Sequence, residues 1–341
     1  MGGLGAVPAS AKQVSRKASA TTPSAKVVSP SKKLKGTVLN VGDQAGTGAE
    51  AILEAAGLIK VSGSTGVLKD GLHVSFADFT SGPPILAAIA SGSLDVGGVG
   101  DAPPVFADPS AKEVIVGMQR SSYSNAALIV PKGSPITSVS QLAGKTVAVG
   151  TGTSADYHLL TVLEKNGVTP SSVTHDNLSG AAGLEALNGG DVAAFDTWSP
   201  WVEDAEEDGD RVLVTGSPYG SPYSYEVASS KALQTPTKVL AIRDYLTELD
   251  KGYVWVKTHP LVWARSWAAV TSLPLDVMSQ ATLDDPYVPI AVTSLAVTQE
   301  QDLVNAFASS GEIPAKYKIA PYITSAFSDS VTGKWTTTTK K

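Results

Sequence analysis

The segment LAGKTVAVGTGTSADYHLLTVLEKNG, from Leu142 to Gly167, constrains the fold more than any other part of the chain. Its β-branched and apolar run Thr146–Val149 predicts a short buried strand. A loop of glycines and hydroxyls follows. Apolar residues then recur at helical spacing, which predicts a helix that Gly167 caps at its C-terminus. A strand that leads into a helix start in this way places free backbone N–H groups where the helix dipole favours negative charge.

Thr153 or Ser154 is the predicted N-cap of this helix, because a short hydroxyl there can accept a hydrogen bond from a backbone N–H group. We therefore expect an anionic small molecule to bind Thr153, Ser154 and Ala155 through their N–H groups and hydroxyls. A second interpretation is a dinucleotide site. The motif G-x-G-x-x-A at 150–155 matches the dinucleotide fingerprint, and Asp176 follows a second strand-like run at a plausible distance.

Composition excludes several classes of protein. The 341 residues suffice for two lobes, and 43% hydrophobic with 17% charged residues is ordinary for a globular protein. The net charge of −6 gives no support to a nucleic-acid partner. The chain has no cysteine, which excludes disulfides, thiol catalysis and thiolate metal sites. No run of about eighteen apolar residues is present to span a membrane.

The two ends of the chain have low complexity. Residues 1–35 are rich in Ala, Ser, Lys, Thr and Pro, and they predict a disordered leader or linker. Residues 331–341 predict a disordered tail. Met1–Ser10 lacks the basic start and the apolar centre of a secretory signal, so an export signal is expected to be absent from this chain.

Three strand-like runs in the first third of the chain are each followed by a loop of small residues. The predicted strands are Thr37–Val41, Leu72–Phe76 and Leu94–Val99, and helices are predicted at Ala49–Leu58 and Ile85–Ser91. Loops at the same end of successive strand–helix units predict a doubly wound α/β lobe with its ligand edge there.

Five segments of the chain, among them GKTVAVGTGTSADYHLL in the strand–loop–helix segment, resemble one protein family in their order and spacing. The first strand ends in the glutamine-bearing loop VGDQAG, and FTSGP precedes a later helix. GSLDVGGVGDAPPVFA (Gly92–Ala107) and FDTWSPWVEDAE (Phe195–Glu206) lie on either side of the strand–loop–helix segment. Together they resemble the substrate-binding proteins of ABC importers for aliphatic sulfonates, taurine and nitrate, over roughly Thr37–Ala320.

The resemblance implies a two-lobed periplasmic-binding-protein (Venus-flytrap) fold of type II. This is an α/β fold with two doubly wound sheets joined by crossing strands and one ligand in the cleft. Residues 36–128 and 222–330 are expected to form the first lobe, and residues 129–221 the second. Asn125–Val130 and Tyr223–Ala228 are the expected crossings.

Three local patterns add further predictions. Pro236 is expected in the first turn of a long helix. Thr298 and Gln301 are expected to form a capping box at the start of another helix. The run Glu203–Asp210 is expected to be a solvated acidic face.

Polar loop residues in the first lobe are candidate ligand contacts. Gln44 can both donate and accept, which suits a sulfonate oxygen or an amine. Ser81, next to Gly82, is a helix N-cap or a ligand contact. Asp101, followed by Ala102, is either an acceptor for the ammonium group of an amino-sulfonate or a structural cap.

Further candidates lie at the crossings and in the second lobe. Asp196 and Trp198 follow a strand-like run, and Trp198 is expected either to cover a substrate tail or to pack in the core. Tyr123 and Tyr223 flank the crossings, where they can close over a ligand or simply pack. Asp156 adds negative charge just after the predicted anion site.

Enzyme motifs are missing from the sequence. It has no G-x-S-x-G and no H-E-x-x-H motif, and its four histidines show no metal spacing. We therefore expect no catalytic residue, no metal and no cofactor. A pyrimidine synthase that makes a thiamin precursor shares the general fold, but that family has a cysteine-rich active motif that this chain lacks.

The resemblance implies a receptor that captures a small organosulfonate, such as taurine, hypotaurine or an alkanesulfonate, and delivers it to an ABC permease in the cytoplasmic membrane. We expect a monomer in the periplasm or another extracytoplasmic location. The alternatives are a binding protein for another small oxyanion, such as nitrate, and a nucleotide-dependent oxidoreductase.

Overall fold

The computed structural model of the chain describes residues 34–331, apart from 45–47, 108–109, 111–112, 122, 124–125 and 285–286. The predicted leader and tail fall almost wholly outside these residues.

The first sheet has a mixed arrangement. Its strands are β1 (Val38–Gln44), β2 (Ile59–Ser62), β3 (Thr65–Leu68), β4 (His73–Phe79), β5 (Val96–Gly100), β6 (Val114–Arg120), β12 (Tyr223–Ala228) and β13 (Val288–Ile290). Their order in the sheet is β13–β6–β12–β5–β1–β4–β3–β2. Strand β1 runs parallel to β4 and β5, whereas β12 is antiparallel to both of its neighbours.

The second sheet is smaller. Its strands are β7 (Ala126–Val130), β8 (Thr146–Ala148), β9 (Thr174–Asp176), β10 (Ala194–Trp198) and β11 (Arg211–Thr215), in the order β11–β7–β10–β8–β9. The chain leaves the first sheet after β6 and returns to it with β12. The two mixed sheets and their flanking helices confirm the predicted fold class, while the exact limits of the lobes remain a prediction.

Helices cover the faces of both sheets. They are α1 (Ala49–Ala55), α2 (Gly82–Ala90), α3 (Pro103–Phe106), α4 (Ser154–Lys165), α5 (Gly180–Gly189), α6 (Trp201–Asp208), α7 (Ser230–Leu233), α8 (Pro236–Thr258), α9 (Pro260–Thr271), α10 (Leu275–Asp284) and α11 (Ser294–Ser310). No helix among the described residues is both long and apolar enough to cross a membrane.

Strand β7 shows how the second sheet is held. All five of its residues are buried. Leu128 and Val130 pack in one apolar cluster with Leu159 of α4, while Ala127 and Ile129 pack in another with residues of α5 and α6. Because successive side chains of a strand point to opposite faces, the apolar run from Ala126 to Val130 is what a strand covered on both faces requires.

Several local predictions are confirmed. Helix α4 starts at Ser154, and Gly167 follows its end with a φ of 71°, a left-handed conformation that suits a glycine. Strand β12 has the predicted limits, Tyr223–Ala228, and Pro236 is the first residue of α8.

Other local predictions are wrong. Helix α1 ends at Ala55, three residues early, and the β2–β3 hairpin was not predicted. Thr298 lies inside α11, which has Thr293 as its N-cap, and the Gln301 side chain bonds the backbone of Tyr317 and Ile319.

The acidic run at 203–210 is not a uniformly solvated face. Glu203 is buried and accepts a hydrogen bond of 2.5 Å from the Ser199 hydroxyl. Asp210 is also buried, and it accepts the backbone N–H of Lys132 at 2.9 Å. Only the middle of the run is exposed, because the helix turns its first acidic residue inward.

Candidate ligand-binding site

A cavity of about 200 Å³ lies between the first sheet, the start of α4 and the helices α8–α10. Its floor consists of Gly98 and Gly100 of β5, Gln119 of β6, and Ser224 and Glu226 of β12. Ser224 pairs with Gly100 and Gln119, and Glu226 pairs with Gly98. Residues directly opposite each other in antiparallel strands point to the same face, so these side chains share one surface.

One wall of the cavity is aromatic. Tyr253 of α8, Trp263 and Trp267 of α9, and Tyr287 line it. The two tryptophan rings stack, with centroids 5.6 Å apart and an interplanar angle of 18°. Sequence reasoning missed this wall, because aromatic residues at helical spacing look the same whether they face a core or a cavity.

The start of α4 lines the cavity through Thr153 and Ser154. Thr153 is the N-cap, but its hydroxyl donates to the Gly150 carbonyl (2.6 Å) instead of accepting from the helix. The first-turn N–H groups of Ser154 and Ala155 have no intrahelical acceptor, as at any helix start. Ala155 itself is buried beneath the cavity surface and packs in the core of the second sheet.

The two glycines of the 150–155 loop have different structural reasons. A Cβ atom at Gly150 would lie 3.1 Å from the Ser179 side chain, whereas Gly152 has a φ of 71°, a conformation that favours glycine. Neither glycine lines the cavity, and Asp176 is exposed at the end of β9. The dinucleotide interpretation therefore gains no support from the geometry.

Asp156 turns back onto its own helix start. Its carboxylate is buried and accepts the Gly152 N–H at 2.8 Å, and it lies 3.7 Å from His175 Nδ1. Burial raises the pKa of Asp156 to about 6, although the bond from Gly152 favours the charged form. The Gly152 N–H group near the predicted anion site therefore already donates to a carboxylate of the protein.

Of the predicted contacts in the first loops, Gln44 and Gly82 line the cavity. Ser81 is the N-cap residue of α2 and is not part of the cavity lining.

Asp101 and Ala102 lie behind the cavity wall. Both are fully buried, and the Asp101 carboxylate accepts the Ala102 N–H at 2.9 Å. Burial raises the pKa of Asp101 to about 6, while the neighbouring hydroxyls of Ser154 and Ser221 act in the opposite direction. Asp101 thus lies beside the start of α4 without lining the cavity.

Asp196 also lies outside the cavity lining, whereas Trp198, two residues on, is part of it. The Asp196 carboxylate contacts His158 Nδ1 at 2.8 Å, and His158 Nε2 lies 3.1 Å from the Thr215 carbonyl oxygen. Burial alone would lower the pKa of His158, but the Asp196 carboxylate reverses this and raises it. The pair joins α4 to the strands β10 and β11.

The two predicted tyrosines have different positions. Tyr123 lines the cavity, and its hydroxyl donates to the Ser154 carbonyl at 3.1 Å. Its φ of 59° is unusual for a residue other than glycine. Tyr223 instead packs in the apolar cluster of the first sheet with Ile85 and Leu86, and it does not line the cavity.

Two carboxyl groups of the cavity escaped sequence reasoning. Glu226 is 3% exposed, and burial, with a smaller repulsion from Asp43, raises its pKa to about 8. Gln119 donates to Glu226 Oε1 at 3.3 Å, whereas Oε2 is buried without a hydrogen-bond partner among the described residues. Asp43 accepts N–H groups of Gln44, Ala49 and Glu50, and so caps α1.

Three carboxyl groups lie close enough together to be candidate ligands of one metal ion. Oxygen atoms of Asp43, Glu50 and Asp78 lie within 4.8 Å of one another. Burial raises the pKa of Asp43 to about 6 and that of Glu50 to about 7. Asp43 already serves as the α1 cap, while Glu50 is half-buried and Asp78 is exposed.

The fold is that of the two-sheet α/β substrate-binding proteins. The alkanesulfonate-binding protein SsuA from Xanthomonas axonopodis pv. citri, bound to MOPS, has a TM-score of 0.76 at 24% identity, covering 85% of this chain and 99% of that one. The periplasmic aliphatic sulphonate binding protein SsuA from Escherichia coli has a TM-score of 0.71 at 24% identity, with coverages of 84% and 92%. The desulfurization enzyme DszB has the same general fold, with a TM-score of 0.55 at 16% identity, covering 86% of this chain and 98% of that one. These likenesses establish the fold.

Sequence comparison identifies the family. Residues 69–269 match the family model described as ABC transporter, phosphonate, periplasmic substrate-binding protein, and the chain belongs to that family. The putative aliphatic sulfonates-binding protein of Escherichia coli (strain K12) is 31% identical over 158 residues, which are 46% of this chain and 50% of that protein. The taurine-binding periplasmic protein of the same strain is 28% identical over 210 residues, with coverages of 60% and 64%. The chain thus matches only half to two thirds of the length of these relatives.

Proposed function

We propose that the protein is the solute receptor of an ABC importer, and that it binds a small organosulfonate in the cavity for delivery to a permease. The position of α4 is the observation that carries this proposal. Its first turn, with the Ser154 hydroxyl, lies at the wall of the cavity. N–H groups at a helix start and the positive end of the dipole attract an oxyanion without any basic side chain.

The charge of a sulfonate suits such a site. It is a single negative charge shared by three oxygens, so several neutral donors can each take part of it. In this proposal the first turn of α4 at Ser154 holds the sulfonate, and Thr153, Gln44, Gly82, Tyr123 and Trp198 complete the surface around the ligand. Relatives named for aliphatic sulfonates and taurine support the same class of ligand.

Substitutions at Ser154 test the site. Ser154→Pro removes one N–H group and the hydroxyl, while proline is tolerated at the first position of a helix. Calorimetric titration with ethanesulfonate should show affinity reduced on the order of 10- to 100-fold, the cost of one hydrogen bond to a charged group. Ser154→Ala, which keeps the N–H group, should lose less.

Ser294→Pro provides the matched control. Ser294 is also a serine at the first position of a helix, with an extended residue before it, and it does not line the cavity. The control variant should bind ethanesulfonate like the unmodified protein. Equal binding by Ser154→Pro would contradict the proposed anion site.

A wider ligand panel distinguishes the alternatives. Thermal shifts with ethanesulfonate, taurine, hypotaurine, nitrate, sulfate and NAD test the sulfonate class against other oxyanions and against a dinucleotide. A ligand of the folded state adds about 2.7 kcal/mol of stability at a hundredfold excess over its Kd. A shift with NAD alone would favour an oxidoreductase and contradict the receptor.

Ligand capture should bring the two sheets closer together, and the permease would recognise this closed form. Small-angle scattering should show a smaller radius of gyration on saturation with ligand, and an unchanged radius would contradict closure. A monomer in an extracytoplasmic compartment completes the proposal. Light scattering of the purified protein and fractionation of cells test these two points.

A further inference from the structure

The floor of the cavity carries a carboxyl group at a defined distance from the start of α4. Gly98 and Gly100 are two residues apart on β5, and both line the cavity. A Cβ atom at Gly98 would lie 3.1 Å from Glu226 Oε1, and one at Gly100 would lie 2.1 Å from Ser154 Oγ. Two residues of a strand span about 7 Å, so the carboxyl and the hydroxyl lie at about this separation on one face.

Glycines on both flanking strands leave space for the Glu226 side chain. The residue pairs with Gly98 of β5 on one side and with Gly117 of β6 on the other. A side chain at Gly117 would meet the Glu226 Cβ at 3.0 Å. Between these glycines, one carboxyl oxygen of Glu226 is bonded by Gln119, and Oε2 remains without a partner among the described residues.

The rest of the lining favours positive charge at this point. Among the described residues that line the cavity, none is Lys, Arg or His, and Asp43 adds a second carboxyl group. Tyr253 and Trp263 also line the cavity, and aromatic rings attract cations. Ionising a buried carboxyl beside which the described residues place no cation is costly, and a cation on the ligand would offset that cost.

We propose that the natural ligand is a zwitterion, an amino-sulfonate with a short spacer, whose ammonium group binds Glu226 Oε2 while its sulfonate binds the start of α4. This inference rests on the proposed function and deepens it. A separation of about 7 Å between the two recognising groups limits the ligand to a short spacer between nitrogen and sulfur, with the hydrogen bonds at an angle to the line that joins the two groups. Glu226 then selects amino-sulfonates over plain alkanesulfonates.

Titration with a matched pair of ligands tests the proposal. Taurine and ethanesulfonate differ in the amine alone, and taurine should bind the unmodified protein at least tenfold more tightly. Glu226→Gln should reduce this ratio at least tenfold. Glu113→Gln, which alters another buried glutamate that does not line the cavity, should keep the ratio.

Proton release gives a readout that a structural role would not produce. Burial holds the pKa of Glu226 at about 8, so the group is mostly protonated at pH 7. Binding of an ammonium group requires the charged form. Calorimetry of taurine at pH 7 in buffers of different ionisation enthalpy should therefore show release approaching one proton, and Glu226→Gln should abolish it.

Among the described residues that line the cavity, Asp43 is the other one with a carboxyl group, and its charge helps to raise the pKa of Glu226. The neighbouring Tyr245 and Tyr253 of α8 stay neutral, because burial raises their pKa values well above 10. Asp43→Asn, measured in parallel, should leave most of the proton release in place. Ethanesulfonate binding as tight as taurine binding, with no proton released, would overturn this inference and keep the sulfonate receptor. No binding of either sulfonate would overturn both.

Discussion

A side chain at Gly100 and the hydroxyl of Ser154 cannot occupy their positions together. A Cβ atom built on Gly100 would lie 2.1 Å from Ser154 Oγ, yet 3.5 Å from Ser154 Cβ. The end of β5 in the first sheet thus fits directly against the first turn of α4, beside the second sheet. The conflict concerns the hydroxyl alone, because the Cβ–Cβ distance is an ordinary contact.

Gly100→Ala should therefore displace the Ser154 hydroxyl from the proposed anion site. The affinity for ethanesulfonate should fall by about tenfold, as expected for a lost hydrogen bond to a charged group. Because the same hydroxyl is lost in Ser154→Ala, the double variant should bind about as well as either single variant, which calorimetry can measure. Gly189→Ala, where the nearest atom would be 3.4 Å away, is the control. Additive losses would contradict the account.

The pair of His158 and Asp196 should matter for stability. Both side chains are fully buried, so removal of one partner leaves an uncompensated polar group in the core. Asp196→Ala should reduce the free energy of unfolding by roughly 3–5 kcal/mol, as measured by urea denaturation. Asp191→Ala, at an exposed aspartate, should have little effect. Loss of ligand affinity without loss of stability would instead make Asp196 a ligand contact.

Tyr123 should support the ligand-bound form through its bond to the Ser154 carbonyl. Tyr123→Phe removes this hydrogen bond of 3.1 Å and keeps the ring. A neutral hydrogen bond contributes about 0.5–1.5 kcal/mol, so affinity for ethanesulfonate should fall roughly two- to tenfold. Tyr317→Phe removes a comparable bond to Val105, 2.8 Å long and away from the cavity, and should leave affinity unchanged. Similar losses from both variants would contradict a specific role for Tyr123.

Glu226 should make the ligand-free protein less stable as pH rises. Its pKa of about 8 in the folded state lies above the value of 4.5 for an unperturbed glutamate, so the folded state binds more protons between these values. Stability therefore falls with rising pH up to about 8, by at most about 1.4 kcal/mol per pH unit for this group. Glu226→Gln should flatten that part of the profile in thermal or urea unfolding. An unchanged slope would mean that Glu226 is already charged.

The sequence predicted the elements with strong local signals. The strand, loop and helix at 146–165 follow from a β-branched run, two glycines and a hydroxyl at the helix start. The hairpin of β2 and β3 also had a signal, since Gly63 and Ser64 form a two-residue turn between alternating runs. The relatively polar strands on either side obscured it.

Contacts between distant segments had no such signal. His158 and Asp196 lie 38 residues apart, and nothing local indicates that one neutralises the other. Glu226 follows Tyr225 in a strand whose alternation predicts the glutamate on a solvated face. The structure places β12 between β5 and β6 with both faces covered, which turns an apparently exposed carboxylate into a buried one.

The most direct test of the account is a crystal structure of the protein with 2-bromoethanesulfonate, whose bromine and sulfonate can be located independently. We expect the sulfonate at the first turn of α4, within hydrogen-bond distance of the Ser154 backbone N–H. The bromine anomalous peak should lie over the floor of the cavity near Glu226. A sulfonate bound elsewhere, or a cavity that stays empty at saturating ligand, would contradict the proposed receptor.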